Sequence, residues 1–343
     1  MSVKARSHGG GVDPRLNLLK LLAAFAVVVV HTTMARVSQV DVHSLGWWAA
    51  NAADAAGRFG SAMFAMVAGA VLLARPSELA PGRFIAQRLA RLLPAVVFWS
   101  VFYFAWREWM WGGITGAVIA HDLLLGSPWY HLWFMFMMLG LYLALPALRF
   151  AVLGVGEGRG WVYLLALAAG MTWFASMAQT LQRLSHASFV GLVPFFAVYC
   201  WAGYYLLRKR VVVPAWALWM GMVTTVAAMA AGVAWSYPWL QEWAFVLFYS
   251  NRSPFAMLLT LCLFLLVLRL PAQAVPAWVN RCGGVTLGVY AIHPFWIDML
   301  ARWGWSLQRA GDAWLLWSVA AFALSLLTAL VLSALPGVRR VVA

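Results

Sequence analysis

Apolar residues run along this chain in blocks of roughly twenty, and the short segments between the blocks hold nearly all of the charge. At 1.5 Å per residue, a helical block of that length crosses the hydrocarbon of a bilayer. Windows of this kind are centred at 18–35, 59–75, 91–107, 131–149, 161–179, 189–207, 213–235, 253–270, 284–301 and 313–334. The pattern predicts an all-α integral membrane protein with about ten transmembrane helices. An even number returns the chain to the side on which it began. No soluble domain, long linker or repeat interrupts the series, so one transmembrane domain is expected over 1–343. Short tails at 1–14 and 335–343 flank it.

Composition sharpens this picture. Apolar residues make up 64% of the chain and charged residues 10%, and the mean hydropathy is +0.82, so lipid is the expected solvent and membrane lipid an expected partner. The net charge of +14 follows topology and does not point to nucleic acid. Sixteen Lys and Arg fall in segments on the side that holds the termini, and seven on the other. By the positive-inside rule both termini are cytoplasmic. The three cysteines, Cys200, Cys262 and Cys282, lie in or beside apolar blocks without metal-ligand spacing, and no metal is expected. The first block exceeds a signal peptide's apolar run and lacks a clear cleavage site, so it is expected to remain as the first span.

Polar residues inside apolar blocks are the candidates for chemistry. In the first block, RLNLLKLLAAFAVVVVHTTMAR, Lys20 and His31 stand eleven residues apart. On a helix that spacing returns to within about 20° of one face and separates them by about 16 Å. Lys20 could snorkel to the headgroups and His31 could end the helix at the interface, but ionisable groups in a membrane more often face a wet interior. After the second block, Arg88 and Arg91 lie three apart and point the same way on a helix, with Pro94 following. They suit either a positive-inside cluster or a fork for phosphate oxygens.

The remaining candidates lie toward the other surface. From Val37 to Arg58 a loop is expected, with Trp47 and Trp48 in the headgroup belt and Asp41, His43 and Asp54 solvated. The second block is rich in small residues, among them Gly60, Ser61, Ala68 and Gly69, which suit close helix packing or a narrow channel. His131 and Trp133 open the fourth block after a Trp-rich stretch. Glu242 and Arg252 share an aromatic loop in which they could pair or bind a sugar. Tyr290, His293 and Asp298 lie in the ninth block. The three histidines 31, 131 and 293 are all placed near the outer half of the membrane.

Taken together, these residues resemble acyltransferase family 3, bacterial membrane enzymes that O-acylate surface glycans, in the short form without an appended esterase-like domain. The resemblance covers essentially the whole chain. It rests on a basic residue, ten residues and then a histidine (Lys20 to His31), the cytoplasmic Arg88-Leu-Ala-Arg91, the HLWF string at 131–134 and Gly-x-Tyr-x-x-His at 288–293. The family has Asp and Arg three apart where this chain has Asn17 and Lys20, and Ser-Gly where it reads VAG at 67–69. The resemblance implies transfer of an acyl group, most often acetyl, from cytoplasmic acyl-CoA (acetyl-CoA or another) to a hydroxyl of a cell-envelope glycan or glycolipid, at the bacterial inner membrane. His31 is then the expected catalytic residue, as general base or transient acyl carrier, with Lys20, Arg88 and Arg91 on the donor. His131, Trp133, Glu242 and His293 are the acceptor-side candidates. The rival from another class is a transporter or flippase of a polar or lipid-linked molecule, which inverted repeats or paired broken helices would favour.

Overall fold

The computed structural model describes residues 13–73, 81–154, 189–209, 211–304 and 313–343, and all regular elements among them are helical. In chain order they are α1 (Pro14–Val37), α2 (Leu45–Gly57), α3 (Gly60–Leu72), α4 (Pro81–Trp111), α5 (Gly116–Leu125) and α6 (Trp133–Gly154). There follow α7 (Val193–Arg208), α8 (Ala215–Leu240), α9 (Glu242–Tyr249), α10 (Pro254–Leu268), α11 (Ala277–Gly284), α12 (Thr286–Arg302) and α13 (Trp314–Ala334). Six stretches among the described residues are long and apolar enough to cross a membrane: α1, α2–α3, α4, α8, α9–α10 and α13. The windows expected at 131–149, 189–207 and 284–301 coincide with α6, α7 and α12, while 161–179 lies outside the described residues.

The outward faces of these helices are apolar. Leu93, Val97 and Val101 of α4 are exposed at four-residue intervals, as are Leu315 and Val319, and then Leu327 and Val331, of α13. That spacing places each set on one helix face. Such stripes have no place in water and are the normal surface of a helix in lipid. The protein is a multi-pass membrane protein.

α1 is the hub, packing against α2, α3, α10, α11, α12 and α13. Its start is well defined. Asp13 caps the helix by accepting from the Arg15 amide at 3.0 Å, and Pro14 takes the first turn, where no amide donor is needed. α3 and α7 approach each other closely. A methyl group at Gly69 would come within 1.9 Å of the Cys200 carbonyl oxygen, and one at Gly203 within 1.9 Å of that of Met66. The small residues of the second block therefore divide their work, with Gly69 admitting α7 while Val67 and Ala68 line a cavity.

The structure corrects the expected outer loop. Residues 45–57 form α2, almost continuous with α3, and Trp47 and Asp54 are fully buried where a headgroup anchor and a solvated loop residue were expected. Trp47 donates its indole N–H to the Val37 carbonyl at 3.1 Å, and Asp54 accepts from Thr33 and Arg58. Asp41 and His43 are exposed, as expected of loop residues.

Candidate active site

Two features meet on the inner faces of α1, α4, α6 and α12. The first is a cavity of about 310 Å³. Lys20 of α1 and Arg88 and Arg91 of α4 line it together with Tyr142 of α6 and Thr286 and Tyr290 of α12. Among the described residues no Asp or Glu side chain lines it, so three cationic side chains share a concave, largely apolar space. Such a space favours an anion, and guanidinium groups favour phosphate oxygens in particular.

The second feature is a cluster of three imidazoles behind Tyr290. The His31 and His293 rings stack with centroids 5.2 Å apart, and the His131 ring meets His293 edge-on at 5.1 Å. Aromatic rings complete the enclosure. Tyr130 lies 5.0 Å from His31, Tyr103 lies 5.0 Å from His131, and Trp129 stacks on Tyr103 at 5.9 Å. His131 and His293 are fully buried, while His31 is half-buried.

Hydrogen bonds fix two of the imidazoles. In a regular helix the Tyr290 carbonyl would accept from the amide four residues on, but that residue is Pro294, which has none. The ring Nδ1 of His293 takes the vacant place at 2.6 Å from the Tyr290 oxygen. Because a carbonyl can only accept, Nδ1 carries the proton and Nε2 keeps its lone pair. That Nε2 is buried and has no hydrogen-bond partner. His131 is the mirror case: its Nε2 donates to the Ala291 carbonyl at 3.1 Å, leaving Nδ1 buried and bare. Tyr103 donates to the same carbonyl at 2.7 Å, and the Tyr290 hydroxyl donates to the His131 carbonyl. The His31 ring makes contacts with Tyr130 and His293 and no hydrogen bond to a described residue.

Tyr290 is the partition between the two features. It lines the cavity, and its ring lies 5.8 Å from His293 and 5.5 Å from His131. The histidines themselves do not line the cavity. The two other acceptor-side candidates lie elsewhere. Trp133 packs against Phe134 and Phe196, and Glu242 is exposed in the first turn of α9, which packs chiefly on α8 and α10. Glu242 does not pair with Arg252, whose guanidinium lies 5.8 Å above the Phe195 ring. Sequence reading passed over Tyr103, gave Tyr130 no role, and named Tyr290 in the ninth block without assigning it one, although it lies one turn before His293 on the same helix face. No group of three side chains among the described residues is arranged to hold a metal ion.

Helices clad in exposed apolar side chains, around a cation-lined cavity backed by bare imidazoles, define a membrane-embedded protein with basic nitrogen at its centre. The family model Acyl_transf_3, described as an acyltransferase domain, matches residues 13–334, and the chain belongs to that family of membrane acyltransferases. No curated protein and no solved structure matches the chain significantly. Where the resembled family carries Asp, Asn17 is buried and donates from Nδ2 to Asn280 Oδ1 at 3.0 Å, a neutral amide pair one turn before Lys20.

Proposed function

We propose that this protein moves an acyl group, acetyl in the first instance, from cytoplasmic acyl-CoA to a hydroxyl of a cell-envelope glycan or glycolipid. The reading places it in the bacterial inner membrane with about ten spans and both termini inside. One observation carries it: Lys20, Arg88 and Arg91 converge on one cavity whose far wall, Tyr290, backs onto the histidine cluster. Coenzyme A carries its phosphates at one end and its thioester at the end of a slim arm. The cations would hold the phosphates, and the arm would run between α3 and α12 toward Tyr290. His31 stands beyond that wall and is the half-buried member of the three, with access from the Tyr130 side. A neutral imidazole there can act as base on the acceptor hydroxyl or carry the acyl group between the two substrates. Membership of an acyltransferase family favours this reading over transport without chemistry.

Purified protein in detergent, given labelled acetyl-CoA, tests the donor and the histidine together. His31→Ala should lower turnover by about 10²- to 10⁴-fold while the protein stays in the membrane fraction. Full activity in that variant removes His31 from the mechanism. Arg88→Ala combined with Arg91→Ala should weaken coenzyme A binding at least about tenfold, the loss of roughly 1.4 kcal/mol or more. Unchanged affinity would leave the arginines a topological role alone. Deleting the gene and weighing the surface glycans by mass spectrometry would identify the acceptor through an acetyl-sized loss.

A further inference from the structure

His31 alone does not account for the cluster. A single base needs one bare nitrogen, yet the site holds two more, His131 Nδ1 and His293 Nε2, and only the latter belongs to a ring stacked on His31, with its state set by a separate device. Pro294 withholds an amide proton from the Tyr290 carbonyl, that carbonyl holds the proton on Nδ1, and Nε2 is left as an acceptor in a buried enclosure. A buried acceptor left without a partner carries a desolvation penalty, and a native fold retains one where something else is to occupy it. His31, stacked 5.2 Å away, has no such lock on either ring nitrogen.

Resting on the acyl-transfer reading above, we propose that the two imidazoles divide the reaction: His31 carries the acyl group, and His293 Nε2 is the base that takes the proton from the acceptor hydroxyl. In the first half a His31 nitrogen attacks the thioester carbonyl and the C–S bond breaks. The thiolate leaves and takes the proton from the other His31 nitrogen, giving neutral acyl-imidazole and free thiol. In the second half the acceptor O–H proton passes to His293 Nε2 while its oxygen attacks the acyl carbon. The C–N bond to His31 breaks, and His293 returns the proton to the departing His31 nitrogen. The sum is thioester plus alcohol to ester plus thiol, with both histidines restored.

The two halves can be read apart without knowing the natural acceptor. Exchange of label between acetyl-CoA and free coenzyme A reports the first half, and acetyl transfer to octyl glucoside or water reports the second. The informative variant is His293→Asn, whose amide N–H can still reach the Tyr290 carbonyl while the Nε2 lone pair is gone. It should keep exchange within about threefold of the wild type and lose transfer by about 10²- to 10⁴-fold. His31→Ala should lose both. Pro294→Ala, which returns an amide proton to the Tyr290 carbonyl and releases the His293 proton from Nδ1, should slow transfer and spare exchange. Should His293→Asn misfold, Pro294→Ala decides alone by the same two readouts. Equal loss of exchange and transfer in these variants, or loss of neither, overturns the division of labour. So does a wild type that transfers without exchanging, which leaves the acyltransferase reading intact. A wild type inert toward acetyl-CoA in both assays defeats that reading and this one with it.

Discussion

Two buried polar clusters sit against α1 within one turn of each other, around Thr33 and around His31, and they are built on opposite rules. In the first, Thr33 donates to Asp54 at 3.1 Å, and Arg58 pairs with Asp54 while its guanidinium lies 4.7 Å above the Tyr249 ring. Tyr249 donates to Asn51, and Asn51 Nδ2 donates to the Ala230 carbonyl at 3.0 Å. None of these atoms is buried without a partner. In the second cluster, His131 Nδ1 and His293 Nε2 are buried without partners. Low dielectric strengthens a completed network and penalises an incomplete one. A completed network therefore holds helices in place, whereas bare nitrogen is open to an atom that arrives from outside, the role proposed above for His293.

The comparison breaks most sharply at Asp54. Asp54→Ala leaves Arg58 in a largely buried site without its carboxylate, a loss on the order of 3–5 kcal/mol. Thermal unfolding in detergent should show a large fall in midpoint. His293→Asn, which keeps its bond to the Tyr290 carbonyl, should show little. If the two variants unfold alike, the histidine cluster is structural after all. Thr33→Val comes next. It removes one hydrogen bond to a charged acceptor and should cost about 1.5–3 kcal/mol, with acetyl-CoA exchange unchanged once the protein is folded.

Much of this organisation was legible before any coordinates. Blocks of apolar residues gave helices where they were long and uniform, and the Lys20–His31 spacing gave one face of α1. Helix α2 was not legible, because Asp54 interrupts an alanine-rich run and reads as solvated. The partners of Asn51, Tyr249 and Ala230, lie far along the chain, and no local pattern announces them. The three histidines could be assigned to one half of the membrane by depth, but not to one cluster. Trp133 shows the limit of adjacency. It is two residues from His131, which lies in the turn before α6, whereas Trp133 opens the helix and packs on Phe196 instead. Glu242 looked chemical only for being acidic among aromatics, and it is exposed.

Between the two extremes lies Tyr103, which belongs to the histidine cluster but is fully satisfied. Its hydroxyl donates to the Ala291 carbonyl, and that carbonyl also accepts from His131 Nε2. Tyr103→Phe thus leaves no acceptor bare and should cost only about 0.5–1.5 kcal/mol in unfolding experiments. A loss as large as that of Asp54→Ala would mean that the imidazole cluster is braced as tightly as the Asp54 network, and the contrast between them would fail.

The smallest effect lies outside the membrane-spanning helices, where Asp122 of the exposed helix α5 pairs with Arg107 at 2.5 Å. Partial burial opposes ionisation of Asp122, but hydrogen bonds from Arg107 and His121, together with the Arg107 charge, outweigh it and hold the carboxyl below its ordinary value of 3.8. A carboxyl depressed on folding stabilises the protein at pH values above its unfolded pKa and loses that contribution as pH falls through the folded one. Water and salt screen such a pair, so its worth is at most about 1 kcal/mol. Unfolding midpoints of wild type and Asp122→Asn should therefore differ by a small constant amount at neutral pH and converge in acid, below about pH 4. A gap that widens in acid would have the wrong sign for a carboxylate held by a guanidinium. Partial exposure makes this pair weak despite its completed bonds, and what gives the Asp54 network its larger predicted cost is completion and burial together.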